Sequence, residues 1–411
     1  MGGRDGASGA RERFALESLN FFMADIQAGI GPFLGVFLQG HGWQSGWIGT
    51  VMTLGGVAGM AVSAPAGAVI DATRRKRAFV VGSGVCTVLA SALVLLSQDF
   101  WLVTFSQVAT AIAGAAIIPA VNGITLGIFR QRGFNRQLGR NQAFNHAGNV
   151  AGAALSGYFG WRYGLPAVFW VAAVFGVLTV GSVLLVPPGS IDDAAARGMK
   201  GAAHEGQASG FRVLLRCKPL VILAVALLAF HLGNAAMLPL FGMAVVAVKS
   251  GEPASFVAKT IVVAQTVMVL VSLWAMRMAE REGYWRVLLI SFLALPIRGL
   301  IAAHVITAWG VYPVQILDGI GAGLQSVAVP GLVARILDGT GRVNVGQGAV
   351  MTAQGIGAAL SPALGGWMAQ ALGYGPTFLI LGAFALVSVG LWIVFRKDLR
   401  SSCEGAQRES R

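Results

Sequence analysis

Apolar residues fall along the chain in long runs separated by short polar turns. Each bilayer crossing needs about 20 predominantly apolar residues. Runs of that length predict helices over residues 14–38, 45–70, 77–97, 100–129, 140–160 and 164–187. A second set is predicted over 219–247, 255–277, 285–305, 308–335, 346–371 and 375–395. Between the sets, Pro187-Pro188-Gly189 opens a polar stretch with Asp192, Asp193, Arg197 and Lys200. The pattern predicts an all-α membrane protein of twelve transmembrane helices. Its expected parts are an N-terminus over 1–13, a six-helix bundle over 14–187, a loop over 188–218, a second six-helix bundle over 219–396 and a tail over 397–411.

The two sets repeat one another. Gly152-Ala-Ala-Leu-Ser156 in the fifth run recurs as Gly357-Ala-Ala-Leu-Ser361 in the eleventh, and Pro32 of the first corresponds to Pro239 of the seventh. A near-constant register of this kind implies duplicated six-helix halves.

Composition agrees with a polytopic chain. Of 411 residues, 55% are hydrophobic and 11% charged, with mean hydropathy +0.70; ordinary soluble domains are about a quarter charged. The 57 glycines suit membrane helices whose backbones approach closely. A net charge of +13 raises nucleic acid as a partner, but that needs cations gathered on one folded surface. Here they lie between apolar runs and report topology, so no nucleic-acid partner is expected. If the N-terminus is cytoplasmic, all but four of the 30 Lys and Arg lie on that side. The exceptions are Arg162, Lys249 and Lys259 outside and Arg298 within a span, a bias that predicts both termini in the cytoplasm. Cys86, Cys217 and Cys403 imply no disulfide framework. The first run carries polar residues and lacks a short apolar region with a small-residue cleavage site, so it reads as a first span rather than a signal.

Between the second and third runs stands Gly67-Ala-Val-Ile-Asp71-Ala-Thr-Arg74-Arg75-Lys76-Arg77. Four adjacent cations cannot lie in hydrocarbon, where one costs about 2.5 to 3.5 kcal/mol on insertion scales, so the stretch is a cytoplasmic turn. It resembles the signature of the major facilitator superfamily (MFS), Gly-x-x-x-Asp-(Arg/Lys)-x-Gly-Arg-(Arg/Lys). Gly67, Asp71, Arg75 and Lys76 match, whereas Ala72 stands for the first cation and Arg74 for the second glycine. Glu280-Arg281-Glu282-Gly283 echoes it in the second half and supplies the acid, cation and glycine. The resemblance implies two pseudo-symmetric six-helix bundles and alternating access, with a gating role for Gly67, Asp71, Arg75, Lys76, Glu280 and Arg281. In similar transporters the acid faces the start of helix eleven, here near Asn344 to Gln347.

Polar residues within spans face a cavity or each other. Asp25 lies near the middle of the first span, with Asn20 and Gln27 beside it. Since helices one, four, seven and ten line the cavity in the family, the resemblance puts Asp25 and Gln27 at the substrate or proton site. In the fifth span Gln142, Asn145, His146 and Asn149 share one face. They read either as part of a proton relay through His146 or as an interhelical hydrogen-bond network. His231 and Asn234 sit in the seventh span, at the repeat-related level of Ala24 and Gln27, as candidate substrate contacts. Arg298 in the ninth span and Asp318 in the tenth fall at similar depths and are expected to form a structural ion pair.

Thr110 stands four residues before Gly114 where drug antiporters of the family often carry Arg, and the Gly-Pro-rich signature of their fifth helix is replaced by Ser156 and Gly157. Both departures weaken a multidrug efflux reading. No phosphate-binding loop, zinc helix or nucleophile elbow is present, so neither an enzyme nor a cofactor is expected. The reading is a monomeric secondary transporter in the cell (inner) membrane, coupled to protons, moving a small organic solute. Gradient-driven uniport and multidrug-type efflux are rivals within the class, and a non-transporting membrane sensor or scaffold is the rival outside it.

Overall fold

The computed structural model describes residues 2–28, 30–196, 217–338 and 343–403, and these are helical almost throughout. The helices are α1 (Gly2–Ala28), α2 (Ile30–Gly40), α3 (Ser45–Ala72), α4 (Lys76–Leu96), α5 (Phe100–Ala115), α6 (Ile117–Tyr163), α7 (Pro166–Leu185) and the short α8 (Asp193–Ala196). In the second half they are α9 (Lys218–Asn234), α10 (Met237–Ala247), α11 (Pro253–Glu282), α12 (Tyr284–His304), α13 (Val311–Ile336), α14 (Val343–Leu372), α15 (Tyr374–Val394) and α16 (Arg396–Cys403). Among the described residues, nine helices are long and apolar enough to cross a membrane.

One expected span is broken among the described residues: the seventh run divides into α9 and α10 at residues 235–236. α1 and α2 lie on either side of residue 29, which is outside the described residues. Pro239 is the third residue of α10. A proline is tolerated there because first-turn N–H groups have no helical partner. The helix of the first run also begins earlier than expected, at Gly2 rather than residue 14.

The turn expected over 130–140 is helical instead. α6 runs for 47 residues and joins the fourth and fifth spans, interrupted only at Arg130, whose φ of 51° lies in the left-handed region. Such a backbone costs about 1–3 kcal/mol in a non-glycine residue and has to be held from outside. Arg130 Nη2 pairs with Asp192 Oδ2 at 3.1 Å, and the Asp192 N–H donates to the Gly127 carbonyl.

Glycine makes the sharp turns possible. Gly164, before α7, and Gly373, before α15, share nearly one conformation, φ 87°, ψ 163° and φ 85°, ψ 167°, a region open essentially to glycine alone. Gly283, ahead of α12, adopts it too. Its counterpart in the first half is Arg74, which does not enter positive φ, and the turn into α4 runs through Arg75 at φ −100°, ψ 42°. The substituted signature glycine has thus changed the turn.

The chain separates into two compact units. Unit 1 comprises Met1–His41, Leu54–Ala203 and Pro253–Ala258; unit 2 comprises Gly42–Thr53, His204–Glu252 and Lys259–Arg411. Each therefore borrows a short segment from the other half of the sequence. In unit 2 the borrowed start of α3 is stitched to α14. Ser45 Oγ donates to the Gly366 carbonyl at 3.0 Å, Trp367 Nε1 to Thr50 Oγ1 at 3.0 Å, and the Ala363 N–H to Thr53 Oγ1 at 2.9 Å. In unit 1 the borrowed start of α11 meets α6 at small residues: a Cβ on Gly157 would collide with Ala258, and one on Gly160 with Ala254.

The core of unit 1 gathers Leu16, Leu19 and Met23 of α1 with Ile70, Val80, Val121, Ile124 and Val183, each no more than 4% exposed. In unit 2, α9 packs on α14 and α15, and α12 on α13 and α15.

Candidate functional site

In unit 2 the backbones that carry polar residues are drawn together by glycines. A Cβ on Gly299 would lie 2.6 Å from the Phe378 carbonyl and 3.0 Å from the Gly382 Cα, so α12 and α15 touch there backbone to backbone. Gly233 meets the Leu381 carbonyl of α15 in the same way. Arg298 and Asn234 are the immediate neighbours of these glycines, and the close crossings carry both toward α13.

There they meet Asp318. Arg298 Nη1 donates to Asp318 Oδ1 at 2.7 Å and to Asn234 Oδ1 at 2.7 Å, and Nη2 reaches Gln315 Oε1 at 3.4 Å. The Arg298 side chain is 1% exposed and that of Asp318 16%, so the cation is sealed and its carboxylate partner is partly open. His231, one turn before Asn234 on α9, donates through Nδ1 to the Leu227 carbonyl at 2.9 Å, since a carbonyl can only accept. A second rung joins the same helices: Gln325 Nε2 donates to Ser291 Oγ at 2.9 Å, and Ser291 Oγ donates to the Gly321 carbonyl. Arg298 Nε and Gln315 Nε2 are buried without a hydrogen-bond partner among the described residues.

Unit 1 carries a different polar set, at the α1–α6 contact. Arg140 Nε donates to Glu17 Oε1 at 2.6 Å, Asn145 Nδ2 to the Asn20 carbonyl and Asn149 Nδ2 to Asn145 Oδ1, both at 3.3 Å. Gly148 lets the helices close, since a Cβ there would collide with the Phe21 carbonyl. Further along α6, Gln137 donates to Asn141, which donates to Thr125 Oγ1 at 3.1 Å. The fifth-span stripe thus contributes to a hydrogen-bonded ladder. His146 lies on α6 beside it, partly exposed, and Gln142 is exposed. Asp25 and Gln27 lie on the backbone of α1, but their side chains fall outside the described residues.

Of the signature, Lys76 is buried, 1% exposed, donating Nζ to the Thr73 carbonyl at 2.8 Å, with its stem against Gly123. Asp71, Arg75, Glu280 and Arg281 are exposed, and none forms an ion pair among the described residues. A Cβ on Gly67 would meet nothing within 4 Å. Asn344, at the expected mate of Asp71, falls outside the described side chains.

Gln315, Glu17, Gln137 and Asn141 were not singled out by sequence. Each is a polar residue in or beside an apolar run, a signal that was available and weak, because its partner stands on another helix.

The Major Facilitator Superfamily profile matches residues 16–343 and 255–410. The chain is 39% identical over 383 residues to an uncharacterized MFS-type transporter of Mycobacterium tuberculosis, found in two strains, covering 92% of each chain. Its fold is similar to that of the nucleoside transporter NupG, with TM-score 0.79 at 15% identity over 93% of this chain and 99% of the other. It is similar also to an inward-facing bacterial homolog of the human lysosomal transporter Spinster, with TM-score 0.70 at 15% identity over 99% and 100%. The chain is a multi-pass membrane protein, and it belongs to the Major Facilitator Superfamily of transporters.

Proposed function

We propose that the protein is a secondary active transporter of a small organic solute, working by alternating access between bundles over 14–187 and 219–396 joined by the loop 188–218. The observation that carries this reading is the buried polar cluster of unit 2. Ionisable groups at the middle of apolar helices are costly and mark pathways for substrate or ions, and here Asp318 is partly open while its counter-ion is not. Coupling is to protons, with Asp25 as the coupling carboxylate and His231 and His146 as further members of the substrate and coupling set. Gln27, Asn149 and Asn234 complete the substrate and coupling set. The protein acts as a monomer in the cell (inner) membrane with both termini in the cytoplasm, as the Lys and Arg distribution supports.

Counterflow in proteoliposomes tests the class. A radiolabelled solute outside must enter vesicles preloaded with the same unlabelled solute. Exchange sustains the transporter reading, and binding without exchange favours a sensor. Accumulation that follows an imposed proton gradient supports coupling, whereas exchange indifferent to it turns the reading to uniport.

A further inference from the structure

We propose that the Arg298 cluster is itself the solute-binding site of unit 2, and that it selects an uncharged solute presenting a hydrogen-bond donor beside an acceptor, such as a vicinal diol or an amide. The proposal rests on the transporter reading and adds to it the class of solute.

Arg298 has only donors, so whatever faces its Nη1 must be an acceptor. Asn234 therefore turns its oxygen to Arg298, at 2.7 Å, and its Nδ2 protons away. Asp318 gives Oδ1 to the same nitrogen, at 2.7 Å, which leaves Oδ2 for another partner. Neither Asn234 Nδ2 nor Asp318 Oδ2 makes a hydrogen bond among the described residues. One nitrogen thus holds a donor and an acceptor side by side, each with its inner atom occupied and its outer atom open. Arg298 does not touch the solute; it is the positioning residue.

Charge decides the class. Asp318 is 16% exposed, and an ionised carboxylate inside a span is tolerated toward water or protein, not lipid, so the open side is wet. The Arg298–Asp318 pair is neutral as a whole. A cationic solute gains little from a carboxylate already matched by a guanidinium, and an anionic one meets Oδ2 directly. What gains most is a neutral group that donates to Oδ2 and accepts from Asn234 Nδ2. The Gln315 side chain beside them is fully buried and keeps Nε2 without a partner among the described residues.

Two triads of probes test this on the full-length purified protein by thermal shift: glucose, glucosamine and gluconate for the diol, and nicotinamide, 1-methylnicotinamide and nicotinate for the amide. Within at least one triad the neutral member should raise Tm with increasing concentration while its charged relatives do not. Asn234→Val, which leaves the ion pair in place, should weaken the apparent affinity about tenfold, the equivalent of one hydrogen bond. Asp318→Asn should weaken it too, and if that variant fails to fold, Asn234→Val alone decides. The proposal is overturned by a larger shift from a charged member, by no shift from any of the six, or by a neutral-probe shift unchanged in Asn234→Val. Its failure and that of the transporter reading differ. Vesicles that exchange gluconate or glucosamine retain transport and overturn the solute class. An Asn234-dependent shift with glucose or nicotinamide, with no exchange of either, retains the site and removes transport.

Discussion

A guanidinium that is 1% exposed has to find its partners in protein, and Arg298 finds three: Asp318, Asn234 and Gln315. Removing one member of such a pair strands the other. Arg298→Leu or Asp318→Leu alone should cost about 3–5 kcal/mol, less for Arg298→Leu because the Asp318 it strands is partly open, and the double leucine variant should be markedly milder. Thermal denaturation of the three purified variants checks this, and a double variant no more stable than the worse single one refutes the coupling. The pair was legible in the sequence because a cation and a carboxylate within apolar runs need one another. The rest of the cluster was less so: Gln315 reads as one polar residue among many, and it takes the close crossings of both α12 and α9 with α15 to bring Arg298 within reach of Asn234. Sequence depth locates partners on neighbouring spans; it does not say which helix passes close to which.

At the scale of single helices, glycines separate into those the packing requires and those it does not. Gly299 has no room for a side chain, so Gly299→Val should force α12 from α15 and cost about 1–3 kcal/mol, visible as a lowered Tm. Gly67 is the opposite. It lies inside α3 with open space around it, so Gly67→Ala should leave stability unchanged or raise it by about 0.5–1 kcal/mol, the usual helical preference for alanine. A fall in transport without a fall in Tm would then mark Gly67 as serving movement rather than folding. Apolar run length was enough to find these helices. It did not find the break ahead of Pro239, although the proline was visible, since a proline inside an apolar run marks either a kink or a restart. Nor did it find that 130–140 is helical, because polarity alone does not distinguish a loop from an exposed helix.

For the molecule as a whole, the gating and coupling readings make separable claims. The signature carboxylate Asp71 is exposed and unpaired among the described residues, and contacts at a helix N-terminus are worth about 0.3–2 kcal/mol. Asp71→Asn should therefore leave Tm unchanged, shift the ratio of states severalfold, and slow net transport. Labelling of a cysteine placed on the cytoplasmic side of the cavity reads the shift; unchanged labelling and rate would reduce the stretch to a topological marker. Asp25→Asn addresses coupling instead. Asn keeps size and hydrogen bonding but cannot titrate. Uphill accumulation should vanish while counterflow persists, and proton-driven accumulation in the variant would remove Asp25 from the mechanism. The twelve-helix plan and its duplication were readable from periodic apolar runs and a constant register, which are global properties. The exchange of short segments between units was not, because it depends on which small residues meet.

That exchange bears on how the protein is made. The segment Gly42–Thr53 leaves the ribosome early, yet its hydrogen-bond partners on α14 are synthesised some 300 residues later. Domains generally fold as units, N-terminal first during synthesis, but here the first half reaches the membrane with Ser45, Thr50 and Thr53 still waiting for their partners. Neither half is complete as a product. A chain cut between residues 203 and 204 should yield an N-terminal fragment that is degraded when expressed alone and rescued when the C-terminal fragment is supplied with it. The two should then copurify. An N-terminal fragment that accumulates stably by itself would show that the borrowed segment matters little to biogenesis.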